Sequence, residues 1–220
     1  MKQSYKLKGI SYKWLLWVFI TYNSSFITHN CFAQTTVQIT PEGNKLKQLH
    51  VENLWLPGHH VNWETGEPDK PEATKGNKTH CSAFVASVCK QLDIYMIHPP
   101  SKTSLANAQY NWLFSEEGYS KGWRQIKETI FETVQRYANM GMVVVAVCKN
   151  PNPDKPGHIA LVMPTEKTPE ELTNEGLTVI QAGHINSSAV SLKQGFALHL
   201  TGWNPPPTEI EFFYHEEGKK

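Results

Sequence analysis

The chain has 220 residues, with 21 Lys and Arg against 20 Asp and Glu, and 40% of its residues are apolar. That length suits one domain with a sizeable core and is short for two. The near-neutral balance, with no basic run beyond a solvated surface, gives nucleic acid no electrostatic foothold, and the lack of repeats or low-complexity tracts points to an ordinary globular domain.

Residues 1–33 read as a secretory signal peptide, separate from a single domain at 34–220. Lys2, Lys6, Lys8 and Lys13 flank the apolar run Trp14-Leu15-Leu16-Trp17-Val18-Phe19-Ile20, and the small residue Ala33 follows. Basic, apolar and small-residue regions in that order predict export, with cleavage after Ala33 or Gln34. The run is short and is interrupted by Thr21, Asn23, Ser24 and Ser25, so no stable membrane span is expected after processing; an uncleaved anchor is the alternative. Asn30 stands before Cys31 where a lipoprotein needs a small residue. The expected location is secreted or periplasmic. Removing four lysines and no acidic group turns 21 against 20 into 17 against 20, a slightly acidic domain.

Export changes the cysteine arithmetic. Cys31 leaves with the signal, and Cys81, Cys89 and Cys148 remain, an odd number in an oxidising compartment. Cys81 and Cys89 sit about 12 Å apart along one predicted helix, too far to bridge. Cys89 with Cys148 is the disulfide that leaves Cys81 free.

In chain order, NKLKQLHVENLW (44–55) predicts a weak helix closed by Pro57-Gly58. The stretch 59–78 is a long irregular loop dense in Gly, Pro, Asp and Asn, of the kind that is either functional or disordered. A helix then starts near Cys81 and carries Phe84, Val85, Val88, Cys89 and Leu92 as one stripe. A second helix is predicted through Ile126, Ile130, Val134 and Tyr137, with Gly141 as its stop. From there the period is that of strands: 142–148, 157–163, 176–183, 195–200 and 208–215. Helices first and strands afterwards predict an α+β domain with an antiparallel sheet.

Cys81 in THCSAFV admits two uses. It extends the apolar stripe and can be core. It also occupies a first helical turn, where unpaired N–H groups and the positive end of the helix dipole stabilise a thiolate and can hold an oxyanion. Among ten histidines, His158 stands out as the opening of the strand GHIALVM. Alternation sets His158, Ala160 and Val162 on one face, with the small Ala160 suited to close packing of the Cys81 helix. Pairing 142–148 with 157–163 is expected to place Val147 opposite His158 and to point Cys148 to the other face, as core. That register also disfavours the Cys89–Cys148 disulfide.

His80-Cys81-Ser82-Ala83-Phe84-Val85, with Lys90-Gln91-Leu92 after it, resembles the nucleophile helix of the NlpC-type and CHAP cysteine peptidases and amidases, papain-like enzymes of bacterial cell-wall metabolism. Gly157-His158-Ile159-Ala160-Leu161-Val162 resembles the strand that carries their base, and Thr103-Ser104-Leu105-Ala106-Asn107 is a fainter echo. The similarity spans roughly residues 55–215 in order of elements. His80 and Ala83 depart from the usual aspartate and glycine, and the role of His80 stays open. The resemblance implies a papain-like fold, with the nucleophile helix packed on the antiparallel sheet. It also implies amide hydrolysis through a thioester, with Cys81 as nucleophile and His158 as base. Peptidoglycan or peptide is the implied substrate, with no metal or organic cofactor. A non-catalytic wall-binding module, or an acyl transferase or toxin with the same dyad, is the alternative. The oligomeric state is left open.

The group that orients His158 is expected on the next strand. With Met163 opposite Gly176, Gln181 falls opposite His158 and shares its face, while His184 and Asn186 are the fallback partners. Three further features have plain expectations. Asn77-Lys78-Thr79 is a loop leading into a helix cap rather than a glycosylation site. His59, His60, Glu64, Glu67 and Asp69 are a solvated loop and match no zinc spacing. Trp63, Trp112, Trp123 and Trp203 are core residues by default, or in part the wall of a groove.

Overall fold

The computed structural model describes residues 38–39, 46–70, 77–100, 105–128 and 130–215; the expected signal peptide, its expected cleavage site and Cys31 lie outside these. The elements run β1 (Gln38–Ile39), α1 (Cys81–Gln91), α2 (Leu105–Leu113), α3 (Glu116–Ser120), β2 (Trp123–Gln125), α4 (Phe131–Asn139), β3 (Val143–Cys148), β4 (His158–Val162), β5 (Thr165–Glu166), α5 (Pro169–Glu175), β6 (Thr178–Ala182), β7 (Asn186–Ser191), α6 (Leu192–Gly195) and β8 (Glu211–His215). The described residues belong to one compact unit. Six strands make an antiparallel sheet in the order β2-β8-β3-β4-β6-β7, and β1 pairs with β5. The molecule is therefore α+β, as its helix-then-strand pattern predicts.

The sheet is covered on both faces. Phe84, Val85 and Val88 of α1 and Leu113 of α2 pack on Val145, Val147, Ile159, Leu161 and Ile180. On the other face, Val134 and Ala138 of α4, Leu172 of α5 and Leu192 of α6 pack on Val144, Ala146, Ala160, Val162 and Val179. Strands buried on both faces read as continuous apolar runs, which is why VVVAVC and HIALV are buried almost throughout.

Local signals explain where elements depart from expectation. Helix continues only through Lys47, and the chain to 57 then winds through turns, because His50 and Trp55 take left-handed backbone angles (φ 50° and 51°) that a continuing helix forbids. The helix expected from Ile126 starts at Phe131, because Ile130 is extended (ψ 126°) and the chain up to Gln125 pairs with β8 instead. The expected strand 195–200 is absent. Ser191 accepts from the Gln194 N–H and opens α6 there, and Phe196 follows as its C-cap. Unforeseen α5 carries a full capping box, Thr168 with Glu171, and Pro169 in its first turn.

Two strand registers differ from expectation. In β3–β4, Cys148 and not Val147 lies opposite His158. A one-residue slip exchanges faces, so Cys148 shares the face of His158. In β4–β6, Leu161 pairs with Ile180, two residues from the expected partner Thr178. An even displacement keeps the faces.

Candidate functional site

Cys81 is the first residue of α1. Its N-cap, His80, supplies no side-chain cap, and no acidic residue lies in the first turn, so the positive helix end is uncompensated there. The thiol is buried, 3% exposed. Burial pushes its pKa up, opposed by hydrogen bonds from the Ile159 backbone, from Ser82 and from the Thr79 side chain. In this arrangement it is held as the thiol. A pocket of ≈ 440 Å³ opens beside it, lined by Thr79, His80, Ser82, Pro99 and Pro156 among others. It adjoins a second of ≈ 740 Å³ that includes His60, Trp63 and Asp69. Asn77, His80, Ala83 and Pro99 belong to both, so one groove passes the helix start.

His158 lies at the head of β4 with its ring on the face of α4, α5 and α6. Its Nε2 meets Gln181 Oε1 at 2.8 Å, so the ring donates to the amide carbonyl. Phe196 packs edge-on at 4.6 Å and His199 stacks at 5.2 Å between ring centroids. Burial lowers the His158 pKa from 6.5 to about 4, opposed by the Gln181 hydrogen bond. His199 is likewise lowered to about 4 by partial burial and by the neighbouring His158 charge. Two glycines make room for the pair. A Cβ on Gly195 would come within 2.8 Å of Gln181 Oε1, and one on Gly183 within 2.9 Å of Gln181 Nε2.

The expected partnership of His158 with Gln181 is thus present, reached diagonally through the displaced register. The expected partnership of His158 with Cys81 is not. Among the described residues no hydrogen bond joins them, because α1 packs on the Ile159–Leu161 face and His158 points to the other. The physical reason is volume. Ile159, Leu161 and Met163 fill the space against Phe84 and Val85, and the small Ala160 and Ala146 receive α4 instead. What links the two residues is the strand backbone, since Ile159, which bonds the thiol, follows His158.

The remaining candidates fall into place. His80 is 5% exposed and its Nε2 bonds the His59 carbonyl at 3.0 Å, so it anchors the long loop. Asn186 donates to the carbonyls of Val51, Leu54 and Trp55 and is no partner of His158; neither is His184. Cys81, Cys89 and Cys148 are all free. Cys89 and Cys148 belong to cores on opposite faces of the sheet, so the disulfide between them is absent, and burial pushes each to about 12. His60 bonds Asp69, Glu64 pairs with Lys90 at 2.7 Å, and no cluster among the described residues assembles the ligands of a metal ion. Asn77-Lys78-Thr79 runs as loop into α1, with Asn77 and Lys78 exposed and Thr79 half-buried. Trp112 and Trp123 are core, Trp203 stacks on Phe131, and Trp63 stacks on His98 at 4.6 Å and borders the groove. No described helix is long and apolar enough to cross a membrane.

Sequence reasoning missed Phe196, His199 and two buried amides of α2, Asn107 and Gln109. The amides had a signal, since polar residues in LANAQYNWL interrupt an otherwise apolar helix next to the site. The chain matches no protein-family model and no curated protein.

Proposed function

We propose that the chain is an exported cysteine hydrolase that cleaves an amide bond in bacterial peptidoglycan, on a papain-like scaffold. The observation that carries this is the buried His158–Gln181 hydrogen bond at the strand end whose next residue contacts the Cys81 thiol. A base with its ring fixed by a neutral acceptor, on a strand whose next residue bonds a cysteine at an uncapped helix N-terminus in a groove, supplies the parts of acyl transfer through sulfur. In the reaction His158 takes the Cys81 proton and the thiolate adds to the amide carbonyl. The N–H groups of the first turn of α1 stabilise the oxyanion, the amine departs with the proton, and water releases the acid. The attack requires thiol and imidazole to meet at the strand end.

A second proposal, a non-catalytic binding module on the same scaffold, is favoured by one observation: His158 and Cys81 occupy opposite faces, where burial pushes the imidazole pKa down and the thiol pKa up. Digestion of purified sacculi, followed by mass spectrometry, separates the two. A hydrolase releases fragments carrying one added water, and Cys81→Ala and His158→Ala release none. Binding to sacculi without any release identifies the module.

A further inference from the structure

Helix α2 lies between the two segments that carry the proposed chemistry, and it grips each with one buried amide. Asn107 is 7% exposed. Its Oδ1 accepts from the Asn150 N–H and the Gly157 N–H, both at 3.0 Å, and its Nδ2 donates to the Lys155 carbonyl at 3.0 Å. These three bonds close the turn that ends one residue before His158. The approach is tight, because a Cβ on Gly157 would meet the Cys148 carbonyl at 2.2 Å and Asn107 Oδ1 at 2.7 Å. Gln109 is fully buried. Its Nε2 donates to the Ser82 carbonyl at 3.0 Å and to the Ile97 carbonyl at 2.9 Å, fixing the residue after Cys81 to the chain that borders the groove.

We infer that α2 is the positioning element of the site, with Asn107 setting the turn that delivers His158 and Gln109 setting the helical turn that delivers Cys81. The polarity of the contacts argues for position over filling. Gln109 Oε1 is buried and has no partner among the described residues, a state that costs about 1–3 kcal/mol and that an apolar side chain would avoid. What only an amide supplies is the pair of N–H bonds to two carbonyls on separate segments. Asn107 likewise uses both ends of its amide on one turn, which an aliphatic residue of the same volume cannot do. The consequence for turnover rests on the hydrolase proposal; the placement of the two segments does not.

The test compares Asn107→Ala, Gln109→Met and, as a control, Asn111→Ala in the full chain. Asn111 is exposed on the same helix, and its side chain accepts a hydrogen bond from Lys149 Nζ. Three quantities are measured: the His158 titration midpoint by NMR, the rate of Cys81 alkylation by iodoacetamide resolved by peptide mass mapping, and kcat and KM on a soluble peptidoglycan stem-peptide fragment. Asn107→Ala is expected to move the His158 midpoint up from about 4 by about one unit as water reaches the turn, with Cys81 alkylation within about twofold of the parent. Gln109→Met is expected to raise Cys81 alkylation about fivefold while the His158 midpoint stays in place. Each lowers kcat about tenfold at unchanged KM, and Asn111→Ala changes nothing. Asn107→Asp keeps the acceptor for both N–H groups. It is expected to retain hydrogen-exchange protection at Gly157 and a kcat within about threefold of the parent even if the alanine variant does not fold. Variants that move both readouts together, or that lower only the melting temperature, would make α2 an ordinary core helix and overturn the inference. If the parent shows no turnover while the two readouts still separate, the positioning stands and the hydrolase proposal fails.

Discussion

The two faces of the central sheet are built from the same material and are chemically unlike. One packs α1 and α2 on Ile159 and Leu161 and brings the Cys81 thiol to a groove. The other packs α4, α5 and α6 on Ala160 and Val162 and encloses a polar pair, His158 with Gln181, walled by Phe196 and His199. Both groups are buried, so charge is suppressed on each side: the thiol is pushed up and the imidazole down. In a strand buried on both faces, a one-residue change of register decides which side of the molecule a functional residue serves.

The largest effect expected from breaking this arrangement is on turnover. Cys81→Ala and His158→Ala should each reduce release of wall fragments by about a thousandfold or more, since nucleophile and base act as a unit. Equal loss from residues on opposite faces would show that they meet during the reaction. Gln181→Ala comes next. It should lower kcat about ten- to a hundredfold with little change in KM, and should lower the His158 midpoint below about 4, because the lost hydrogen bond favours the charged ring. Asn186→Ala should leave kcat alone and cost about 1–3 kcal/mol of stability in urea unfolding, because it strands three carbonyls of the 51–55 segment.

Acid should act strongly through the buried His158. The native His158 pKa lies below its ordinary value, about 4 against 6.5, so the unfolded chain binds the proton first as pH falls. Its contribution is complete above pH 6.5 and is lost as pH drops toward 4, by about 3 kcal/mol for a group this buried. The thiols work at the other end: raised toward about 12, they cost stability as pH climbs above 9. Urea unfolding at pH 7, 5 and 4 checks the acid limb, and His158→Gln should make it shallower, with the buried His199 and His80 keeping their own shares. The smallest change, Gly195→Ala, should displace Gln181 by a few tenths of an ångström and lower kcat about threefold without unfolding the protein.

Much of the fold was legible from period and punctuation. The Cys81 helix starts on the expected residue, and four of the five expected strands exist, because alternating or continuous β-branched runs between turn residues admit little else. The capping box at Thr168 and the cap at Ser191 were equally readable as local chemistry and would have removed the false strand at 195–200. The faces were harder. Alternation groups His158 with Ala160 correctly, but which group meets α1 depends on how side-chain volumes fill two cores at once, and no local pattern holds that information. Gln181 was found despite a register two residues out, because an even error preserves the face. Asn107 and Gln109 act across long sequence separations and leave only the oddity of buried amides.

The most direct test of a Cys81–His158 partnership is the pH dependence of Cys81 alkylation by iodoacetamide, in the parent and in His158→Ala. A working nucleophile should react well below the ordinary thiol range, along a limb that disappears with the imidazole. A profile that rises only above about pH 9, the same in both proteins, would mean that the two faces stay apart and would contradict the hydrolase.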